Sequence, residues 1–335
     1  MRAFRIWTIF VLSLMLGGLI IWGSLVFYID PLWSFNHAHQ NNQIQAGFDE
    51  RQQKTNFITH NPFTKGDLLL GSSRVTYISQ YDFIGYDVYN YAVSNMVMAE
   101  YDDYIQYAKS QKGSDFEHII LGLDFYTTNK NIAFDNFEKP AYYIEKTNTL
   151  GYPLTSLLSL EAAQFAWDNY QASKKGLPIN FFYDRQNVKT LQTETDLEIT
   201  WSRIYATVDK YHQDLYANYE YEQVREILQH IKDHNPNTEF LVFTTPITMQ
   251  LYEQMIKDGL YPYYRQWLED ITAVFGEVYH FMYPNSVTAN IEYFYDGSHI
   301  YPWVGTWLAH KLIGYPDEDI PEDFGKIITA NDDDY

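Results

Sequence analysis

The chain has 335 residues, enough for one sizeable domain with an appendage or for two small domains. Its 23 basic and 43 acidic side chains leave a formal charge of −20, which argues against a nucleic-acid partner and against adsorption to an anionic membrane surface. Cysteine is absent, which excludes disulfides, thiolate zinc sites and cysteine nucleophiles; 31 tyrosines and 8 tryptophans fit core packing, sugar stacking or an interface equally well.

The first element is apolar. Residues 6–29 carry no charge, with Arg2 and Arg5 before them and Asp30 after. About 20 such residues span a bilayer. The run closes on LVFYIDP, with bulky side chains where a signal peptidase needs small ones, so 6–29 reads as an uncleaved transmembrane anchor. The basic pair assigns 1–5 to the cytoplasm and sends the rest outward. Ser13 and Gly17 have small-xxx-small spacing, which ordinary membrane-helix composition also produces. Residues 30–65 are polar and amide-rich and read as an ordered stem outside any core. His37 and His39 lack a nearby acidic partner and read as solvated surface rather than a metal site.

From residue 66 onward, short apolar runs at 67–71, 87–93, 118–125, 239–245 and 278–282 predict strands. Helical patterns at 97–110, 221–233, 249–275 and 303–313 alternate with them. This alternation predicts an α/β domain over 66–320 with a mainly parallel central sheet. Residues 127–217 interrupt it, with a helix expected at 155–170, and read as an insertion over the C-terminal edge of the sheet. Residues 321–335 read as an acidic, solvated tail, with Asp332–Asp334 a frayed end rather than a cation site.

Ligands of open α/β sheets bind at the carboxyl ends of the strands. The polar residues there are Ser72, Ser73 and Arg74; Ser94 and Asn95; Asp124 and Tyr126; Thr244 and Thr245; and Asp296 and His299. A serine nucleophile needs a base, and the base needs an orienting partner. Asp296-x-x-His299 supplies both from one turn. The same spacing recurs at Asp115/His118 and Asp209/His212, but only Asp296/His299 follows the last predicted strand. Gly71-Ser72-Ser73 also reads as a turn and helix cap, and judged locally that reading leads. It is not the α/β-hydrolase elbow, because Val75 stands where that motif needs glycine.

Gly71-Ser72-Ser73 after the first strand and Asp296-x-x-His299 after the last together resemble the SGNH (GDSL-like) hydrolase superfamily. With the anchor, the Asp-Pro-Leu-Trp stem and Asn-Tyr-Ala-Val-Ser, the chain looks most like its membrane-anchored, DltD-like and alginate-type O-acetyltransferase-like group. The resemblance covers most of 67–125 and 236–313. It implies an SGNH-like three-layer fold in a bacterial cytoplasmic membrane protein whose main domain is extracytoplasmic. It also implies a catalytic Ser73, Asp296 and His299, with no metal or organic cofactor. The expected activity is acyl transfer, with acetyl foremost, or ester hydrolysis on an envelope or exported polysaccharide. The expected partner is a multi-pass acyl-exporting membrane protein. Two departures stand out. Asn95 occupies the place of an oxyanion glycine, and Asp124 that of an asparagine donor, where a carboxylate would repel an oxyanion. Asn129 is a candidate substitute. Arg74 either neutralises Asp124, holds an anionic substrate or lies on a helix surface. The alternatives are a catalytically weak or inactive binding or assembly subunit of a polymer export complex, and an esterase for small molecules.

Overall fold

The computed structural model describes residues 1–132, 137–176 and 179–332. Parts of the expected insertion (133–136, 177–178) and the last three residues of the acidic tail lie outside the described residues. The chain divides into two compact units, Met1–Phe63 with Ala141–Gln186, and Thr64–Pro140 with Asn187–Tyr335.

The first unit opens with α1 (Arg2–Ile29) and α2 (Glu50–His60). The chain then enters the second unit through β1 (Asp67–Leu70), α3 (Ser73–Thr76), β2 (Val88–Asn90), α4 (Tyr101–Lys112) and β3 (His118–Leu123). It returns to the first through α5 (Pro140–Asn148), α6 (Tyr152–Ser156), α7 (Leu160–Lys175) and β4 (Phe181–Tyr183). The second unit is completed by β5 (Lys189–Leu191), α8 (Leu197–Lys210), α9 (Val224–Asp233), β6 (Glu239–Thr244), α10 (Met249–Lys257), α11 (Tyr261–Phe275), β7 (Glu277–His280), α12 (Pro302–Ile313) and β8 (Lys326–Thr329).

α1 is long and apolar enough to cross a membrane. Its C-terminal end packs on α7 through Val26, Ile29, Ala162 and Ala166. At Asp30 the chain turns at φ 49°, and the Asp30 carboxylate accepts hydrogen bonds from the N–H of Ser34 (2.8 Å) and Phe35 (3.2 Å). Arg185 closes the turn with an ion pair of 2.6 Å to the same carboxylate. The stem is not outside a core, as its composition suggests. In α2 the polar residues Glu50, Arg51, Gln52, Gln53, Lys54, Thr55 and Asn56 are all buried. Several of them act as partners: Gln53 and Asn56 donate to the carbonyls of Pro31 (2.5 Å) and Leu32 (2.9 Å), and Glu50 accepts from Tyr183 (2.8 Å). Buried polar groups are tolerated when their hydrogen bonds are made.

The second unit carries a six-stranded sheet in the order β2-β1-β3-β6-β7-β8, parallel except for the β7/β8 pair. Its central strands read DLLL and HIILGL and are buried almost throughout, as parallel strands covered on both faces must be. One face packs Leu69, Ile120 and Phe243 against Val304, Leu308 and Leu312 of α12. Val75 fits against two glycines at the centre of this face. A Cβ on Gly71 would lie 2.3 Å from Val75 Cγ2, and one on Gly122 would lie 2.4 Å from the same atom.

Three expectations need correction. The predicted helix 249–275 is two helices, because Gly259 takes φ 75° and Pro262 lies in the first turn of the next helix. The predicted helix 155–170 is likewise broken, at Ser159, whose hydroxyl caps α7 by accepting from the Ala162 N–H (3.0 Å). The tail holds β8, paired antiparallel to β7 with Ile328 opposite Val278; its short Lys-Ile-Ile-Thr run is hidden among acidic residues.

Candidate active site

The local backbone separates the two serines. Ser72 is the N-cap of α3 and its Oγ accepts from the Arg74 N–H (3.3 Å), while Ser73 is the first helical residue. The cap and the candidate nucleophile are thus different residues. Ser73 Oγ lies 2.8 Å from His299 Nε2, and His299 Nδ1 lies 2.8 Å from Asp296 Oδ2. A carboxylate only accepts, so Nδ1 carries the proton and Nε2 is left to accept from the serine.

Asp296 is fixed from several sides. It accepts from the backbone N–H of Ser298 (2.8 Å) and of His299 (2.9 Å) as well as from the ring. Burial pushes the Asp296 pKa up, but the imidazole beside it and these hydrogen bonds outweigh that and hold it below the usual carboxylate value. The three side chains open on a cavity of about 270 Å³, also lined by Asn95, Arg74, Tyr126, Lys210, Tyr211 and Ser298. Asn95 has φ 54°. Among the described residues, no acceptor takes the backbone N–H of Ser73 or of Asn95.

No protein-family model matches the chain, and no curated protein does either.

The geometry of the remaining residues sorts the other candidates. Arg74 is 4% exposed and Asp124 fully buried, at 3.2 Å from each other, so the helix-surface option for Arg74 falls. Arg74 also donates to Thr245 Oγ1 (3.0 Å) and to Tyr211 Oη (2.5 Å), and its guanidinium stacks over Tyr126. Burial works against its charge; Tyr211 and Asp124 more than offset that and raise its pKa above the usual value. Thr245 donates to Asp124 Oδ1, and Asp124 is not among the residues lining the cavity. Asn129 is committed elsewhere. It donates to the carbonyls of Leu215 (3.0 Å) and Ala217 (3.2 Å) and accepts from the Glu220 N–H (3.1 Å).

The two competing Asp-x-x-His pairs do not form His–Asp contacts with themselves. Asp115 pairs with Lys109 (2.8 Å), His118 with Asp67 (2.7 Å), and His212 with Asp258 (2.7 Å). Lys210 and Tyr211 escape sequence reasoning: Lys210 ends α8, and Tyr211 opens a π-turn, Tyr211–Leu215, that continues the helix and has no sequence signature of its own. For metals, Asp102, His230 and His234 bring three possible ligand atoms together, as do Asp67, Glu117 and His118. Each group contains a hydrogen-bonded His–Asp pair, and neither shares a residue with the cavity. His37 and His39 pack on aromatic rings, His37 on Phe27 and His39 on Tyr28.

Proposed function

We propose that the second unit is a serine-dependent acyl hydrolase or transferase of SGNH type. The observation that carries the reading is the continuous relay Ser73 Oγ, His299 Nε2, His299 Nδ1, Asp296 at 2.8 Å per step, open to a cavity. In this reading Ser73 Oγ attacks the acyl carbonyl while its proton passes to His299 Nε2. The Ser73 and Asn95 N–H groups face the oxyanion. The leaving alkoxide departs with the proton from Nε2, and a water or polymer hydroxyl, deprotonated by the same nitrogen, then releases the acyl group from Ser73. Asp296 keeps the imidazole in one tautomer and stabilises its charged form.

Asn95 stands where the superfamily pattern has glycine, and φ 54° is a conformation that asparagine and glycine share. The Asp124 charge is countered by Arg74 and does not face the reacting atoms unpaired. We read α1 as the membrane anchor with both units on the extracytoplasmic side. An acyl ester of an envelope or exported polysaccharide is the substrate, and a multi-pass acyl exporter is the donor-side partner. A second reading, a binding subunit with weak or no turnover, is favoured by one observation: Asp124 and Asn129 supply no side-chain donor to the cavity.

The test is covalent labelling by a fluorophosphonate. The wild-type protein is expected to label at one site, and Ser73→Ala to lose the label. Persistent labelling of Ser73→Ala overturns the assignment of the nucleophile, and an unlabelled wild type favours the binding reading.

A further inference from the structure

The first unit exposes a patch that water should not see. Leu150 is 100% exposed, Leu160 79%, Leu154 67% and Leu158 51%, all between the end of α5 and the start of α7. Large apolar side chains gathered in this way mark an interaction surface rather than scatter. Trp167 is also exposed and lies on the face of α7 that carries Leu160, seven residues earlier.

The position of the patch identifies what covers it. A Cβ on Gly23 of α1 would lie 3.7 Å from Leu158 Cδ2 and 3.9 Å from Leu157 Cβ, so these leucines touch the apolar helix itself. An aromatic collar marks where that helix leaves the apolar phase. Phe27 packs on Phe35 and His37, and Tyr28 stacks on His39 and accepts from Asn41 at its hydroxyl (2.9 Å). Gly23 precedes Tyr28 by about 7.5 Å of helix rise. Leu157 and Leu158 therefore sit on the membrane side of the collar.

The segment has the chemistry of immersion. No charged residue occurs from 147 to 160, although Lys146 and Glu161 flank it directly. Its polar side chains are satisfied within the chain. Thr149 donates to the Glu145 carbonyl (3.1 Å), Thr155 to Tyr152 (3.1 Å) and Ser156 to Pro153 (3.0 Å), and Asn148 donates to Ile144 (2.7 Å). Polar groups in hydrocarbon must be paired in this way, whereas surface hydroxyls in water need not be.

We infer that Leu150, Leu154, Leu158 and Leu160 insert into the outer leaflet of the bilayer beside α1, giving the first unit a second, monotopic hold on the membrane. The contact is apolar, consistent with a chain whose formal charge is −20. The inference rests on the reading of α1 as a membrane anchor.

The chain has no cysteine, so single cysteines can be labelled cleanly with nitroxide. Ile20→Cys, Leu154→Cys, Leu158→Cys and, as a water-exposed reference, Leu197→Cys are placed in the full chain in phosphatidylcholine nanodiscs. Collision with oxygen and with a water-soluble nickel chelate is then measured. Labels at 154 and 158 are expected to lose nickel collisions to the level of position 20 while keeping oxygen collisions. Nickel collisions at the level of position 197, with position 20 still protected, overturn the inference and leave the anchor standing. Loss of both collisions at 154 and 158 overturns it in favour of a protein covering. Nickel access at position 20 overturns the anchor and the inference with it.

Discussion

The buried Arg74–Asp124 pair allows a quantitative test of what holds the floor of the site together. In Asp124→Asn the guanidinium keeps its hydrogen bonds to Thr245 and Tyr211 but loses the one carboxylate at 3.2 Å. At an effective dielectric constant of about 20, that separation corresponds to about 5 kcal/mol of attraction. Breaking one side of a buried pair commonly costs about 3–5 kcal/mol, because the remaining charge stays buried. The second carboxylate oxygen of Asp124 has no hydrogen-bond partner among the described residues, so the carboxylate is held through its other oxygen, by Arg74 and the Thr245 hydroxyl. The expected loss for Asp124→Asn is therefore about 3–5 kcal/mol. Removing both charges, in Asp124→Asn with Arg74→Gln, should recover most of it. Hydrogen exchange in urea at peptides covering β3 and β6 reads the second unit separately. The reasoning is refuted if the single variant loses less than about 1 kcal/mol, the scale of an exposed pair, or if the double variant is no more stable than the single.

Three further outcomes follow from the same geometry. The Asp296 pKa is depressed below its usual 3.8, so its stabilising contribution is complete above that value and is lost as the pH falls through the depressed pKa. Asp296→Asn should therefore remove part of the acid sensitivity of the second unit below about pH 4, measured by hydrogen exchange across pH. Gly71→Ala drives a methyl into Val75 and should destabilise by about 1–3 kcal/mol; adding Val75→Ala, which vacates that space, should restore part of the loss in the same exchange measurement. Asn95→Gly should preserve the fluorophosphonate labelling rate, whereas Asn95→Val, β-branched at φ 54°, should lower it and the local stability together.

Much of the second unit was legible in the sequence because its strands are short, continuous apolar runs that need no partner to be recognised. His118–Leu123 is the clearest case. Position along the sheet then distinguished Asp296/His299 from two identical spacings. Other features depend on tertiary context. The buried α2 looks like a solvated stem because nearly all its residues are polar, and tertiary partners such as the carbonyls of Pro31 and Leu32 and the Tyr183 hydroxyl make that composition a core. β8 is four residues long and acquires its identity from β7. Tyr211 bonds Arg74 from the first residue of a π-turn, a detail that no periodicity encodes.

The order in which the two units share the chain has a consequence for biogenesis. The turn after α1 is locked by Arg185, more than a hundred residues beyond its partner Asp30, and the carboxylate of Glu50 waits for Tyr183. Between those segments the chain lays down β1, β2 and β3, whose sheet is completed only when β6, β7 and β8 follow. During synthesis, then, the first unit stays unfinished through the whole of 64–140, and the second stays unfinished while the first is being closed. Neither unit is a contiguous stretch that can be cut out by choosing two ends. Until 141–186 has emerged, α2 has its bonds to the carbonyls of Pro31 and Leu32 but lacks the Tyr183 hydroxyl that its Glu50 accepts from in the finished fold.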